Sequence, residues 1–540
     1  MFSAAFAPLA FAGVEPWAAA LLEIVFFWTA ASLLKSPRLC PESVCDRTLL
    51  PAALFMAALA ALQCFSQRPA DGPASLLPFT FWRVSTAKAA LWWLALAALV
   101  WSVPRIITDW RQLKKISWTI FLTGMVISLI GMLQKSEVNG MIYGLRRVSG
   151  MPFGPFVNRD HAASYLAMAA LAGLGILCSR LTQWPKIMGR SRRADFLATQ
   201  FTTLVMVSVV VGGIIKTGSR GGLAAFALAA FAGGWVSSGL LRRRKKLAAR
   251  TALLLAAGGY CFFLLTHPYF LGFSGAKLDH TLLTRLSLYR SSLAMFMDFP
   301  VFGAGLGAVS NGFQLYQESS VHGFVRHVHS DWLELLLQTG VVGTAVYLTG
   351  FLLLLKRGFS LWKNCPSREV RALCGGFLAA ALAFSLHGFM DFSFQMPANA
   401  VTFFLLLSLV GTLPVKYGKS EPEPKICGPA GDALPAAAFG ALLLLSLPQV
   451  IGWIYSRRAV LSPADGRPAL YQKALACDPD PRLAFQTAAA YYNLALKNPA
   501  RKKELFSSAY ETAARYAALS PADRDLAALK AAALIQIENP

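Results

Sequence analysis

The sequence predicts an all-α, polytopic membrane protein, and three observations carry that class. Of its 540 residues 56% are hydrophobic and only 14% charged, with a mean hydropathy of +0.50, whereas soluble chains carry about 25% charged residues. Apolar runs long enough to cross a bilayer recur along most of the length. Lys and Arg gather in alternate loops: four in 105–115, five in 180–193, six in 242–250 and five in 356–371. That alternation is the positive-inside pattern, which assigns those loops to the cytoplasm. The net charge of +24 therefore reports topology and argues against a nucleic-acid partner.

Spans are expected near 18–34, 49–65, 87–103, 116–134, 162–179, 199–216, 221–240, 251–266, 331–355, 371–388, 397–413 and 434–455. A short apolar stretch at 2–14 brings the total to twelve or thirteen. It lacks the Lys or Arg of a signal peptide's first region, so no cleavage is expected. Walking the chain from the basic loops puts 66–86, 135–161, 217–220, 267–330, 389–396 and the C-terminal segment on the far side. All seven histidines then fall on or beside that face, and histidine is the side chain best suited to proton transfer near neutral pH. Of nine cysteines, only Cys477 lies in a far-side segment, so no disulfide framework is available there. Cys40 and Cys45 lack a second ligand pair for a metal.

The chain divides into a transmembrane domain, 1–455, which includes the long far-side loop 267–330, and a helical region, 456–540. The second part is rich in Ala and Tyr at helical spacing with Pro after each helix, as in "ALYQKALACDPDPRLAFQTAAAYYNLALKNP". This pattern resembles tetratricopeptide helix pairs. Two partial units are fewer than such repeats need alone, so the region is expected to pack on the membrane domain or on a protein partner.

The residues that could carry chemistry cluster at outer helix ends. In "RHVHSDWLELLLQTG" (326–340), Arg326, His327, His329 and Asp331 precede an apolar helix. Asp331 and Glu334 have capping-box spacing and sit at the positive end of the helix dipole. His329, just before that terminus, is disfavoured as an imidazolium and so suits a general base. His327, two residues back, could point elsewhere. In "KTGSRGGLAAF", Arg220 stands in a loop of a few residues beside paired glycines; it is either a snorkelling anchor or a fork for a phosphate group. Arg285 and Arg290 lie on an amphipathic helix ending at Asp298-Phe299-Pro300. The "GAGLG" run after it has no preceding strand and reads as a turn, not a dinucleotide site. "HGFMDFSFQMPANA" places His387 and Asp391 at another outer helix end. No Walker A sequence is present, which argues against an ATP-driven pump, and the two D-x-D patterns, at 478–480 and 523–525, are explained by turns.

Four of these segments, "HVHSDWLELLLQTGVVG", "TGSRGGL", "R…DFPVFGAGLG" and "HGFMDFSFQMPANA", resemble in order and topology the O-antigen ligase and polymerase superfamily, over roughly 150–415. Ser330 stands where the family usually has Asn, and Gln338 where Glu is common; both departures bear on acceptor identity more than on reaction type. The resemblance implies a GT-C-type glycosyltransferase that needs no metal or other cofactor. It would sit in the bacterial inner membrane and move a glycan from a polyprenyl diphosphate carrier to an acceptor hydroxyl on a glycan, lipid or protein, at the periplasmic face. In that chemistry Arg220 and Arg285 would hold the diphosphate, with Arg290 in reserve, and His329 would orient or deprotonate the acceptor. Arg326, His327, Asp331, His387 and Asp391 would line the substrate cavity. A polysaccharide exporter that forms no bond is the rival class; it would favour broken helices with polar groups at mid-membrane.

Overall fold

A computed structural model describes residues 1–34, 43–68, 75–107, 109–134, 140–148, 150–183, 190–238, 247, 250–251, 275–321, 324–417, 433–519 and 524–538. Its elements are helical almost throughout. In chain order they are α1 (Phe2–Leu9), α2 (Pro16–Leu34), α3 (Leu49–Gln63), α4 (Arg83–Ile106), α5 (Trp110–Leu133), α6 (Arg159–Leu181), α7 (Arg190–Thr217), α8 (Arg220–Ser238), α9 (Gly275–Asp298), α10 (Asp331–Asn364), α11 (Arg368–His387), α12 (Pro397–Tyr417) and α13 (Ala433–Leu461). Four more follow: α14 (Arg467–Cys477), α15 (Pro481–Ala495), α16 (Lys502–Leu519) and α17 (Arg524–Glu538). Among the described residues the only strands are Met141–Ile142 and Arg146–Arg147, paired as an antiparallel hairpin.

This is an all-α polytopic membrane protein. Eight of the described helices are long and apolar enough to cross a bilayer, and Leu49–Gln63 and Pro397–Thr412 are shorter apolar helices. Eleven of the twelve expected spans coincide with helices; the one at 251–266 lies outside the described residues, as do His267, most of the basic loop at 242–250 and most of the linker at 414–433. The stretch 2–14 is not one helix. After eight residues the chain turns through Phe11 and Ala12, both at positive φ, and eight residues rise only about 12 Å, well short of a hydrocarbon core.

Helix α6 occupies the centre, with Ala162, Tyr165, Leu166, Met168 and Ala169 almost completely buried. It packs closely on α11, where Gly175 and Gly376 face each other at backbone contact; small residues at such crossings are how membrane helices gain dispersion contacts without help from water.

Helix α10 is interrupted. Gly340 adopts φ 61°, ψ −166°, a region open essentially to glycine alone, and a side chain there would strike the backbone of Val301. The freed backbone groups find partners in the loop after α9: Val341 N donates to Pro300 O (2.8 Å), Val342 N to Val301 O (3.2 Å), and Ala304 N to Leu337 O (2.8 Å). Gln63 closes the remainder, donating to Phe302 O and Gln338 O. Irregular backbone at membrane depth persists only when other protein satisfies it. The break therefore pins the 300–306 turn, and α9 with it, to the transmembrane bundle.

Outside the bundle, a second core joins three parts of the chain. Phe79 and Phe81, then Phe299, Phe313 and Val328 of the long loop, share one apolar cluster with Ala459, Tyr471, Ala484, Tyr516 and Leu526. Helices α13 to α17 pack against one another in sequence order, and Lys88 of α4 pairs with Asp478 at 2.5 Å.

Candidate active site

Four helix ends converge on the turn 388–394. Asp331 staples it: its backbone N–H donates to Gly388 O (2.8 Å) and Asp391 O (2.9 Å), while its carboxylate accepts the Phe394 N–H at 3.0 Å. The helix cap is accordingly not Asp331, as the spacing had suggested, but Ser330, whose hydroxyl accepts from Leu333 N at 3.4 Å. Nor does Glu334 close a capping box. Fully buried, it accepts from His327 Nδ1 (2.8 Å), Val328 N (3.3 Å) and Gln338 Nε2 (3.2 Å). A tertiary demand for both carboxylates overrides the local motif.

The Phe392 ring is the hub. His327 stacks on it at 4.4 Å, and His161 and His329 meet its edge at 4.6 and 5.0 Å, each inclined by 80°. His327 thus does not point away but shares a ring with His329. The His329 backbone sits at φ 54°, a left-handed conformation costly for a side chain of this kind. Tyr289 of α9 braces it, its hydroxyl lying 3.3 Å from His329 O and 3.2 Å from Phe389 O.

Behind Phe392 runs a buried polar chain. Ser393 Oγ donates to Asp391 Oδ2 (2.6 Å), Ser164 Oγ lies 2.7 Å from Ser393 Oγ, and His387 Nδ1 lies 2.5 Å from Ser164 Oγ. With Asp391 ionised the chain has one consistent direction: Ser164 donates to Ser393, His387 Nδ1–H donates to Ser164, and Nε2 of His387 is left as an acceptor. His161 approaches the other Asp391 oxygen, Nε2 to Oδ1 at 3.6 Å, and neither of its buried ring nitrogens has a hydrogen bond.

Charge is placed to match. Burial holds the His329 imidazole below its ordinary value; the Arg285 guanidinium adds to this, against the opposing pull of Asp391. Burial pushes the Asp391 carboxyl up, but His161, His387 and the Ser393 hydroxyl outweigh it and keep the group below the usual carboxylate range. The site thus combines a neutral imidazole with a charged carboxylate, the combination a general base and its support require.

Arg220 begins α8. Gly221 lies against His387: a side chain at 221 would come within 3.1 Å of Cδ2 of that ring. The paired glycines let the helix terminus approach the cluster closely. Arg285, half-buried on α9, is close enough to act electrostatically on both His329 and His387. The other two arginines fare differently. Arg290 is exposed on the same helix and touches none of the cluster, while Arg326 faces Arg482 and Asp480 of the C-terminal helices. His161, Ser164, Phe392, Ser393 and Tyr289 were not singled out from the sequence; the polar run "NRDHAAS" opening the most buried span was the available signal. Among the described residues no three His, Cys, Asp or Glu side chains form a metal-ligand set. On the far side of Asp331 lies a cavity of about 270 Å³ walled by Trp92, Trp93, Trp332, Tyr347 and Phe384, with Lys88 among its few charged groups.

The fold and the cluster together define a helical membrane protein with histidines and a carboxylate gathered at one end of its bundle. Residues 203–348 match the O-antigen ligase family, Wzy_C, which agrees with the resemblance seen in the sequence. The matched region holds Arg220, Arg285, Tyr289, His327 and His329, while His161, His387 and Asp391 come from outside it. No curated protein matches the chain. One solved chain, described under "Structural coordination of polymerization and crosslinking by a peptidoglycan synthase complex", aligns with a TM-score of 0.36 at 17% identity, over 68% of this chain and 98% of that one.

Proposed function

We propose that the protein is a glycosyltransferase that moves a glycan from a polyprenyl diphosphate carrier to an acceptor hydroxyl at the periplasmic face of the bacterial inner membrane. The observation that carries this reading is the convergence of His329, kept neutral, with Arg285 and the α8 terminus bearing Arg220 at one end of the bundle. A diphosphate is already a good leaving group, so the enzyme needs mainly to stabilise its charge and align the acceptor. Arg220 and Arg285 supply the charge, which makes the step metal-free. His329 accepts the proton of the acceptor hydroxyl as oxygen attacks the anomeric carbon, the carbon–oxygen bond to the diphosphate breaks, and the polyprenyl diphosphate departs with the electron pair. His327, His387 and Asp391 orient the site, and Asp331 holds the turn that carries them. The aromatic cavity behind the turn offers an apolar chain a berth beside the headgroup. The acceptor is a glycan, a lipid or a polypeptide; the tetratricopeptide-like reading of 456–540 leans toward polymerase or general ligase over ligation to lipopolysaccharide, because such repeats bind polypeptide. The orientation rests on the basic loops.

The test is transfer by purified protein in nanodiscs, supplied with a polyprenyl diphosphate oligosaccharide, with His329→Ala as comparison. Release of polyprenyl diphosphate matched by a glycosylated product, and lost in His329→Ala, is the expected result. Movement of the intact lipid-linked glycan across the bilayer without bond cleavage would establish the exporter instead.

A further inference from the structure

A second cationic site lies beside the histidine cluster. Glu15 binds two guanidiniums through a single oxygen, Arg146 Nε at 2.8 Å and Arg457 Nη2 at 3.2 Å, while its other oxygen accepts from Trp453 Nε1 at 2.6 Å. Three donors already share this carboxylate, and Nη1 of Arg146 is left buried with no hydrogen-bond partner. Arg482 opens α15 close enough to act on both Arg146 and Arg326. Asp480, beside it, is occupied as the helix cap, accepting from Arg482 N and Leu483 N at 2.9 and 3.3 Å. Guanidiniums from the hairpin and the end of α13 thus share Glu15, while those of the His327 loop and the start of α15 lie near Asp480. Burial lowers the proton affinity of Arg146, the neighbouring guanidiniums of Arg457 and Arg482 add to this, and Glu15 opposes it. The buried, unpartnered Nη1 of Arg146 is a donor that carries a desolvation cost until an acceptor fills it.

We propose that Arg146, Arg326, Arg457 and Arg482 form a subsite for an anionic sugar, a uronate or a sugar phosphate, on the glycan handled at the histidine cluster. Guanidinium forks match carboxylate and phosphate oxygens in pairs. Arg326 adjoins His327, so an anion held there sits next to the reacting end. The hairpin and α15 belong to segments outside the bilayer spans, which favours a glycan over a phospholipid headgroup. This assignment rests on the transferase reading for the glycan's fate, but binding can be measured without turnover.

The experiment measures affinity of the full chain, in phosphatidylcholine nanodiscs, for trigalacturonate, its neutral methyl ester and glucose 6-phosphate. Arg482→Gln and Arg326→Gln are the variants; both side chains are exposed, so neither substitution threatens the fold. At least one anionic probe is expected to bind ten times or more tightly than the ester, to weaken about tenfold in each variant, and to weaken with salt; which probe binds names the anion. Equal affinity for acid and ester, no binding by either anion, or variants that bind like the parent would overturn the subsite. So would variants that alter only retention of phosphatidylglycerol in mixed nanodiscs. A protein that loses uronate affinity on Arg482→Gln yet never transfers a glycan would keep the subsite and refute the transferase reading.

Discussion

Replacing Tyr289 by Phe removes one hydroxyl from the candidate site and leaves the ring that fills its place on α9. That hydroxyl lies 3.3 Å from His329 O and 3.2 Å from Phe389 O, and with a single proton it donates to one of them at a time. An intramolecular hydrogen bond contributes a net 0.5–1.5 kcal/mol or thereabouts. The segment it restrains is the one at φ 54°, where relaxing to an ordinary backbone conformation returns about 1–2 kcal/mol. The brace and the strain are thus of similar size, so losing the brace lets His329 spend part of its time out of position. At 1.4 kcal/mol per decade, a loss of 0.5–1.5 kcal/mol lowers the rate roughly two- to tenfold. Arg285, one turn away on the same helix, is untouched, so donor affinity is expected to stay within about twofold. The assay is single-turnover transfer at saturating donor, alongside equilibrium binding of a polyprenyl diphosphate analogue. A Tyr289→Phe protein with wild-type single-turnover rate, or one whose loss lies wholly in donor binding, would refute the bracing role.

Because His329 is held below its ordinary value, its neutral form persists to lower pH than that of a free imidazole; transfer is expected to decline as pH falls through that lowered value, placing the acid limb of a pH–rate profile below about pH 6.5. A limb above that value would point to another base. Arg220→Lys keeps the charge but loses the planar fork, so a diphosphate grip predicts a loss of about 1.5–3 kcal/mol, roughly ten- to a hundredfold in rate; a snorkelling anchor predicts near silence. Transfer by the purified protein is expected to survive EDTA, and activity abolished by chelation and restored by magnesium would contradict a diphosphate neutralised by arginines alone. Single cysteines at Ser310 and Ala500 are expected to react with an impermeant thiol reagent in spheroplasts of a cysteine-free background, and one at Lys363 to stay unlabelled; labelling at Lys363 would reverse the orientation.

Much of the bundle was legible because span length and loop charge are local properties of sequence. Arg220, His329, His387 and Asp391 were legible for a related reason: each is a polar group interrupting an apolar run at a helix end. The rest depends on which ends meet. His161 lies more than two hundred residues from Asp391, and nothing in "NRDHAAS" says that its carboxylate partner follows the eleventh helix. The cap at the start of α10 was read one residue late, since Ser330 and Asp331 are both good caps and only the Phe394 N–H decides between them. The interruption at Gly340 was hidden for the opposite reason: "QTGVVG" continues an apolar pattern smoothly, and the partners that stabilise a broken helix sit forty residues upstream.

The outer core that joins Phe79, Phe313 and Val328 to Ala484, Tyr516 and Leu526 has a temporal side. The long loop bearing Arg285 and His329 leaves the ribosome well before the helices that complete its apolar packing, and Lys88 waits for Asp478 through nearly four hundred residues of synthesis. During biogenesis the outer apolar core is therefore completed last, after the spans that carry the histidine cluster have been made.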